Sequence, residues 1–229
     1  MTQFSVIIPV ATLTPQLERT REQIAKIQVP LQVILVVSKS VKRELVHKFP
    51  HETVTLSQVT GRGFALAEGL SLATGEIIIF LHADTSLPEH WEHLVHKVMN
   101  DHRIVGGAFA LAFDRPHFFL DVLIFFSNLL FHVNGELWGD RAIFIRSEII
   151  KSQPSLLQVP IMEDVRLSHY MKRRGKVVLL TEKVITSAQT FFEHGMIKNT
   201  LRILYCRAWY ALGGNLNKIY AYYYQKLLL

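Results

Sequence analysis

Glu76-Ile77-Ile78-Ile79-Phe80-Leu81-His82-Ala83-Asp84-Thr85 is an apolar run that halts at a cluster of polar groups. Ile77 to Leu81 is unbroken and mostly β-branched, with Gly75 before it and Pro88 beyond it. That composition reads as a strand buried on both faces. Its C-terminal end delivers His82, Asp84 and Thr85 to the rim of a sheet, and in an open parallel sheet that rim is where ligands sit. A carboxylate fixed at a strand end suits a divalent cation held against a substrate phosphate. The competing reading is that Asp84 caps the next helix, ahead of Pro88.

Upstream, residues 4–10 and 31–37 are apolar segments of the same buried type, the first carrying Pro9 near its end and the second stopping at Ser38. Between them, residues 15–27 place Leu17, Ile24 and Ile27 at helical spacing. A charged helix is expected over 39–48 and a half-exposed strand over 53–59. Gly61-Arg62-Gly63 then opens a helix over 64–73. Strands alternating with helices of this length imply βαβ units, hence an α/β fold with a mostly parallel sheet flanked by helices.

Downstream come a His-rich amphipathic helix at 91–100 and a strand at 105–114, where Gly106 and Gly107 allow close backbone approach. An apolar helix follows at 118–131, then a Gly139-Asp140-Arg141 turn feeding another strand. The helix beginning at Met162 has Glu163 and Asp164 in its first turn and Lys172, Arg173 and Arg174 in its last, which complements the helix dipole. These elements make one domain over 1–190, with a basic, aromatic helical extension over 191–229 packed on it.

The 229 residues are 49% hydrophobic and 19% charged, enough for a large core. A formal net charge of +6 points to an anionic partner. The single cysteine, Cys206, excludes an internal disulfide and a cysteine-based metal cluster, and fits a reducing cytoplasm. Met1-Thr2-Gln3-Phe4 lacks the basic start and apolar core of a signal peptide. The apolar window at 118–131 contains Asp121 and falls short of the roughly 20 residues of a membrane span, so it reads as a buried or interfacial helix. After Glu193 there is no acidic residue. Instead Lys198, Arg202, Arg207, Lys218 and Lys226 alternate with Trp209 and six tyrosines. That mixture suits peripheral contact with a membrane surface, and it suits still better a helix pair packing its rings on the domain. No recognised nucleic-acid module is present, and no nucleic-acid partner is expected.

Three polar clusters thus fall at expected element ends: His82 with Asp84, Gly139-Asp140-Arg141, and Glu163-Asp164. Together they could supply a metal and diphosphate ligand, an acceptor-positioning pair and a general base. Arg62 adds a cation at a helix start, where phosphate binds readily.

The order Gly-Arg-Gly-Phe-Ala-Leu-Ala-Glu-Gly (61–69), Phe-Leu-His-Ala-Asp-Thr-Ser-Leu-Pro (80–88), Gly-Gly-Ala-Phe (106–109), Trp-Gly-Asp-Arg-Ala-Ile-Phe (138–144) and Ile-Met-Glu-Asp-Val-Arg-Leu-Ser (161–168) resembles the family-2 glycosyltransferases of GT-A fold. It is most similar to a small bacterial branch, associated with radical-SAM gene neighbourhoods and arsenosugar biosynthesis, that writes its metal motif as His-Ala-Asp-Thr. The resemblance implies an inverting transfer from a nucleotide-sugar donor to an acceptor hydroxyl, aided by Mg²⁺ or Mn²⁺. It implies donor contacts from Pro9, Ser38, Arg62 and Asp84, metal contacts from Asp84, His82 and His194, and an acceptor side formed by Trp138, Asp140 and Arg141. Asp164 would be the general base, with Glu163 beside it to orient acceptor or helix. The acceptor is a small metabolite or a lipid-linked molecule. The place of work is the cytoplasm or the inner membrane surface.

The sequence departs from the family pattern in the nucleotide half. Ala11-Thr12-Leu13 stands where the family usually carries Asn-Glu, Ser38-Lys39-Ser40 where it carries an acidic residue, and Glu68 where it carries Asn. Two readings follow: an active metal-dependent transferase, or a catalytically degenerate scaffold of the same fold at a membrane surface.

Overall fold

A computed structural model describes residues 3–38, 41, 52–57 and 59–225. Apart from Val41, the helix expected over 39–48 lies outside the described residues, as do Lys39 and Ser40.

The N-terminal half alternates as the pattern predicts: β1 (Phe4–Val10), α1 (Pro15–Ala25), β2 (Leu31–Val37), β3 (Glu52–Leu56), α2 (Arg62–Leu72), β4 (Ile77–Phe80) and β5 (Thr85–Ser86). Then come α3 (Trp91–Met99), β6 (Ile104–Phe113), α4 (Phe118–Asn134), a 3₁₀ turn at Gly139–Arg141, β7 (Ile143–Arg146) and α5 (Ser147–Lys151). The chain continues through α6 (Glu163–Arg174), β8 (Lys176–Thr186), α7 (Gln189–His194), α8 (Met196–Ala211) and α9 (Leu216–Gln225).

All eight strands join one sheet in the order β3-β2-β1-β4-β7-β6-β8-β5. Alternate residues of each central strand face opposite layers. Val6, Ile8, Ile77 and Ile79 pack with Leu17 and Ile24 of α1 and Trp91 and Val95 of α3. Ile7, Ile34, Ile78 and Phe80 pack with Leu66 and Leu70 of α2 and Leu167 and Met171 of α6. The continuous apolar runs are therefore two-sided cores, which is why they lack the polar alternation of a half-exposed strand.

β1 to β4 run parallel. β7 runs antiparallel to both its neighbours, an exception the sequence pattern does not reveal. Its register explains how it serves the site: Ile143, the first residue of β7, lies opposite Phe80, the last of β4. The Gly139–Arg141 turn is thereby placed at the rim where β4 delivers His82 and Asp84. At the same rim, the Ser38 amide donates to the Val10 carbonyl at 3.1 Å.

α8 and α9 close over the start of α6. Cys206 and Ile219 are buried against Met162 and Val165, with Trp209, Tyr222 and Tyr223 packed around them. Their other faces are exposed, and α4 likewise has an exposed side, with only Leu120 and Ser127 fully buried.

Candidate active site

Two clefts meet at the sheet rim. The larger, of about 690 Å³, is lined by Pro9, Ser38, Arg62 and Asp84, and so gathers all four residues expected on the donor side. The smaller, of about 200 Å³, is lined by Trp138, Asp140, Glu163 and Asp164. Arg62, His82 and Tyr224 line both clefts and form the boundary between them.

Arg62 is the hub. Its guanidinium pairs with Glu163 and donates to the Gly139 carbonyl at 3.1 Å. Burial alone would lower its affinity for its proton, but Glu163 and then Asp164 outweigh that and hold it charged. Glycine at 139 leaves room for the Arg62 guanidinium: a Cβ there would meet it, and Arg62 would have to shift. Gly61 has φ +132°, a backbone few side-chain-bearing residues adopt, and this turn aims Arg62 at the rim.

Asp164 is fixed from two sides. Its Oδ2 accepts from the Gly139 amide at 2.9 Å and its Oδ1 from the Val165 amide at 2.8 Å. Glu163 is 3% exposed and committed to Arg62, whereas Asp164 is half-buried at the cleft wall. Of the adjacent pair, Glu163 is thus tied to Arg62 and Asp164 to two backbone amides, and both line the smaller cleft.

Asp140 is pushed up to about 6, first by burial and then by Asp164 and Asp84, with Arg141 opposing. Its Oδ1 is buried without a hydrogen-bond partner among the described residues, as are Trp138 Nε1 and Arg62 Nε. Three orphaned polar atoms around one small cleft are what a site awaiting a polar ligand leaves behind.

Backbone strain lies at the same place. Ala142 has φ +49° directly after Asp140-Arg141, and Met162 has φ +66° directly before Glu163-Asp164. Such conformations cost on the order of 1–2 kcal/mol per residue and persist where the surroundings fix them.

Several expected placements are corrected. Asp84 does not cap a helix: the N-cap of α3 is His90, and Asp84 precedes β5. Arg141 lines neither cleft. It is 1% exposed and donates to Ser127 Oγ at 2.7 Å and Asn128 Oδ1 at 2.8 Å, so it anchors α4 from behind the site. Spacing alone could not separate it from Asp140, because the 3₁₀ turn sends successive side chains in different directions. His194, at the end of α7, also lines neither cleft. Tyr220 and Tyr224 of α9 line the larger cleft, which the aromatic tail did not announce. Their spacing of four residues is the signal that could have found them.

The donor set fits a hard divalent cation. Asp84 faces the larger cleft with its side chain 43% exposed, and His82 Nδ1 lies 3.7 Å from its Oδ1. Burial holds the His82 imidazole well below its ordinary value, with the Arg62 charge adding to the effect, so the ring is neutral and able to ligate. The orphaned Oδ1 of Asp140 is a further oxygen donor. These groups do not form a preassembled trio. Among the described residues, the one set of three ligand atoms within 4.8 Å of one another is His90, Glu92 and His93, which line neither cleft. One or two carboxylates completed by substrate phosphate oxygens is the usual arrangement for Mg²⁺.

Residues 5–151 match the profile of Glycosyl transferase family 2. No curated protein matches the chain in sequence. Among solved structures, S. aureus TarS is similar, with a TM-score of 0.60 at 12% identity over 88% of this chain and 39% of that one. TarS 1–349 in complex with UDP-GlcNAc gives 0.58 at 14% identity, over 81% of this chain and 58% of that one. TarS 1–349 alone gives 0.57 at 14%, over 96% and 70%. The chain thus spans less than half of the first of these proteins, and at such identities the likeness is one of fold.

Proposed function

We propose that this chain, which belongs to glycosyl transferase family 2, moves a sugar from a nucleotide-sugar donor to an acceptor hydroxyl with inversion at the transferred carbon. One observation carries the reading: Asp84, Asp140 and Asp164, from three separate segments, converge on Arg62 where a large and a small cleft meet.

The donor occupies the larger cleft. There Tyr220 and Tyr224 offer aromatic faces, and Ser57 and Thr60 offer hydroxyls, to a nucleoside. Ala11 and Ser38 line it without a carboxylate, so ribose and base are recognised differently from the usual family pattern. The TarS complex with UDP-GlcNAc makes UDP the first nucleotide to test. Arg62 faces both clefts and is positioned to meet the diphosphate, and Asp84 with His82 is positioned to hold Mg²⁺ or Mn²⁺ beside it. A divalent cation there supplies electrostatic stabilisation of the departing diphosphate.

The acceptor occupies the smaller cleft. Asp164, pinned by two backbone amides, takes the proton of the acceptor hydroxyl as that oxygen bonds to the anomeric carbon. The bond from that carbon to the diphosphate oxygen breaks on the opposite side, and the nucleoside diphosphate leaves. Attack from one cleft and departure into the other is what gives inversion. The motif His82-Ala83-Asp84-Thr85 supports reading the chain as a member of the small His-Ala-Asp-Thr branch of the family.

A melting-temperature screen of UDP, GDP, TDP, CDP and ADP, with and without Mn²⁺, tests the reading on the wild type and on Asp84→Ala. Binding to the native state alone raises its stability. The expected result is a metal-dependent rise for one nucleotide that Asp84→Ala abolishes. No rise with any of the five refutes the assignment of the donor cleft.

A further inference from the structure

A further cleft, of about 820 Å³, shares no lining residue with the other two and lies between α1 and the start of α3. The chain ahead of α3 is tied to α1: Thr20 Oγ1 donates to the Thr85 carbonyl at 3.1 Å and Gln23 Nε2 to the Leu87 carbonyl at 2.6 Å. On the wall so fixed, His90, Glu92 and His93 each present one ligand atom, all within 4.8 Å of one another. The two imidazole rings are tilted by 40° with centroids 6.1 Å apart, so they share a neighbourhood without stacking.

Three features of this trio call for a ligand. Glu92 is 8% exposed, yet its carboxylate makes no hydrogen bond among the described residues, and its one ion pair there is the 3.7 Å approach of His93 Nε2. A carboxylate buried to that degree ordinarily has partners. His90 has φ +55°, although its side chain does not cap α3. A left-handed residue that the helix start does not explain is a mark of ligand clamps. Between them, Trp91 Nε1 is buried on the same cleft wall without a hydrogen-bond partner among the described residues.

We propose that His90, Glu92 and His93 hold a transition-metal cation of the Zn²⁺ class, at a site separate from the donor cleft. Two imidazole nitrogens and one carboxylate oxygen are the ligands of such an ion, whereas Mg²⁺ prefers oxygen alone. Two ligands about 2.0–2.1 Å from a tetrahedral Zn²⁺ stand about 3.3 Å apart, and His93 Nε2 already lies 3.7 Å from Glu92 Oε1. The remaining charges on the cleft wall, Arg19 and Lys26 against Glu22 and Glu89, offset one another. The ligand trio, rather than a net field, therefore selects the ion. The positive end of the α3 dipole opposes a cation, a small effect beside three coordinate bonds. Three protein ligands leave a fourth position open to the cleft for water or a small anion. The site stands independently of the transferase reading.

Calorimetric titration of Zn²⁺ into Asp84→Ala, which lacks the donor-side carboxylate, tests the proposal without any nucleotide. One Zn²⁺ should bind per chain, and excess Mg²⁺ should not displace it. Adding His93→Ala, His90→Gly or Glu92→Gln to that background should each weaken Zn²⁺ binding at least about 10-fold. His90→Gly should melt no lower than its parent when metal-free, because glycine adopts the left-handed backbone freely. Exposed His93 supplies the variant least able to disturb the fold. Co²⁺ in the same site should show the visible absorption of a four- or five-coordinate ion, altered by azide at the open position. Absence of Zn²⁺ binding overturns the proposal, as does a Co²⁺ spectrum like that of the aquated ion. Glu92→Gln that binds as tightly as its parent also overturns it, since two surface histidines would then account for the affinity.

Discussion

Asp140→Asn should make the protein more stable at neutral pH and less active. The folded carboxyl titrates near 6 instead of the ordinary 3.8, chiefly because burial disfavours its charge and Asp164 and Asp84 repel it, against the help of Arg141. At 1.36 kcal/mol per pH unit, that gap sets a ceiling of about 3 kcal/mol on the cost of keeping Asp140 ionised in the fold. Its partial exposure reduces the figure to about 1–2 kcal/mol. The sign follows from proton linkage: a group that holds its proton more tightly when folded costs nothing below the unfolded value. The cost grows between 3.8 and about 6 and is complete above that. Wild type and variant should therefore unfold together near pH 4, separate through pH 6 and run parallel at higher pH. At about 2–4 °C per kcal/mol for a chain of this size, the variant should melt about 2–8 °C higher at neutral pH. Melting followed at half-unit pH steps provides the assay. A difference independent of pH, or a variant less stable than wild type at neutral pH, would show that the Asp140 carboxylate is stabilised by its surroundings rather than strained by them.

Asp164→Asn should lower kcat about 10²- to 10⁴-fold while nucleotide affinity, read by calorimetry, stays as in the wild type, because a general base acts only in the transition state. A parallel loss of nucleotide binding would remove Asp164 from that role. Arg62→Gln leaves Glu163 buried without its cation and should cost about 2–4 kcal/mol in urea unfolding. Adding Glu163→Gln to it should recover part of that loss, and simple additivity of the two changes would contradict the pairing. Gly139→Ala drives a Cβ into the Arg62 guanidinium and should cost about 1–3 kcal/mol together with weaker nucleotide binding. A variant that melts and binds as the wild type would show that Arg62 can shift aside without loss. Removing divalent cations with EDTA should erase the nucleotide-induced rise in melting temperature and Mn²⁺ should restore it, with Asp84→Ala indifferent to both treatments.

Most of the scaffold was legible in the sequence because buried strands and amphipathic helices write their periods locally. The apolar run ending at His82-Ala83-Asp84 placed β4 and its rim correctly, since two-sided burial demands uninterrupted hydrophobicity whatever the neighbours are. The reversed direction of β7 was not legible: a short apolar stretch such as Ile143-Phe144-Ile145 looks alike whichever way a strand runs, and β7 pairs antiparallel to β4 directly after the Gly139–Arg141 turn. For the same reason Asp140 and Arg141, adjacent in sequence, part company in space. One lines the small cleft and the other is sealed under α4. The Tyr220 and Tyr224 walls depend on how α9 folds back over a rim built from residues more than 130 positions earlier, a distance no local pattern encodes.

The apolar helix at 118–131 shows where periodicity stops being informative. Hydrophobicity on every side of a helix states only that water is unwelcome, and does not say which face protein covers. In the structure Arg141 answers that question: its bonds to Ser127 and Asn128 hold the inner face of α4 toward the Gly139–Arg141 turn and leave Phe118, Phe125 and Phe126 outward. The residue expected to touch the acceptor thus sets the orientation of an exposed apolar face instead. Just beyond α4, Glu136 pairs with Arg207 of α8, which lines the smaller cleft. The turn that presents Asp140 to the smaller cleft thus also fixes, through the next residue, which side of α4 faces outward.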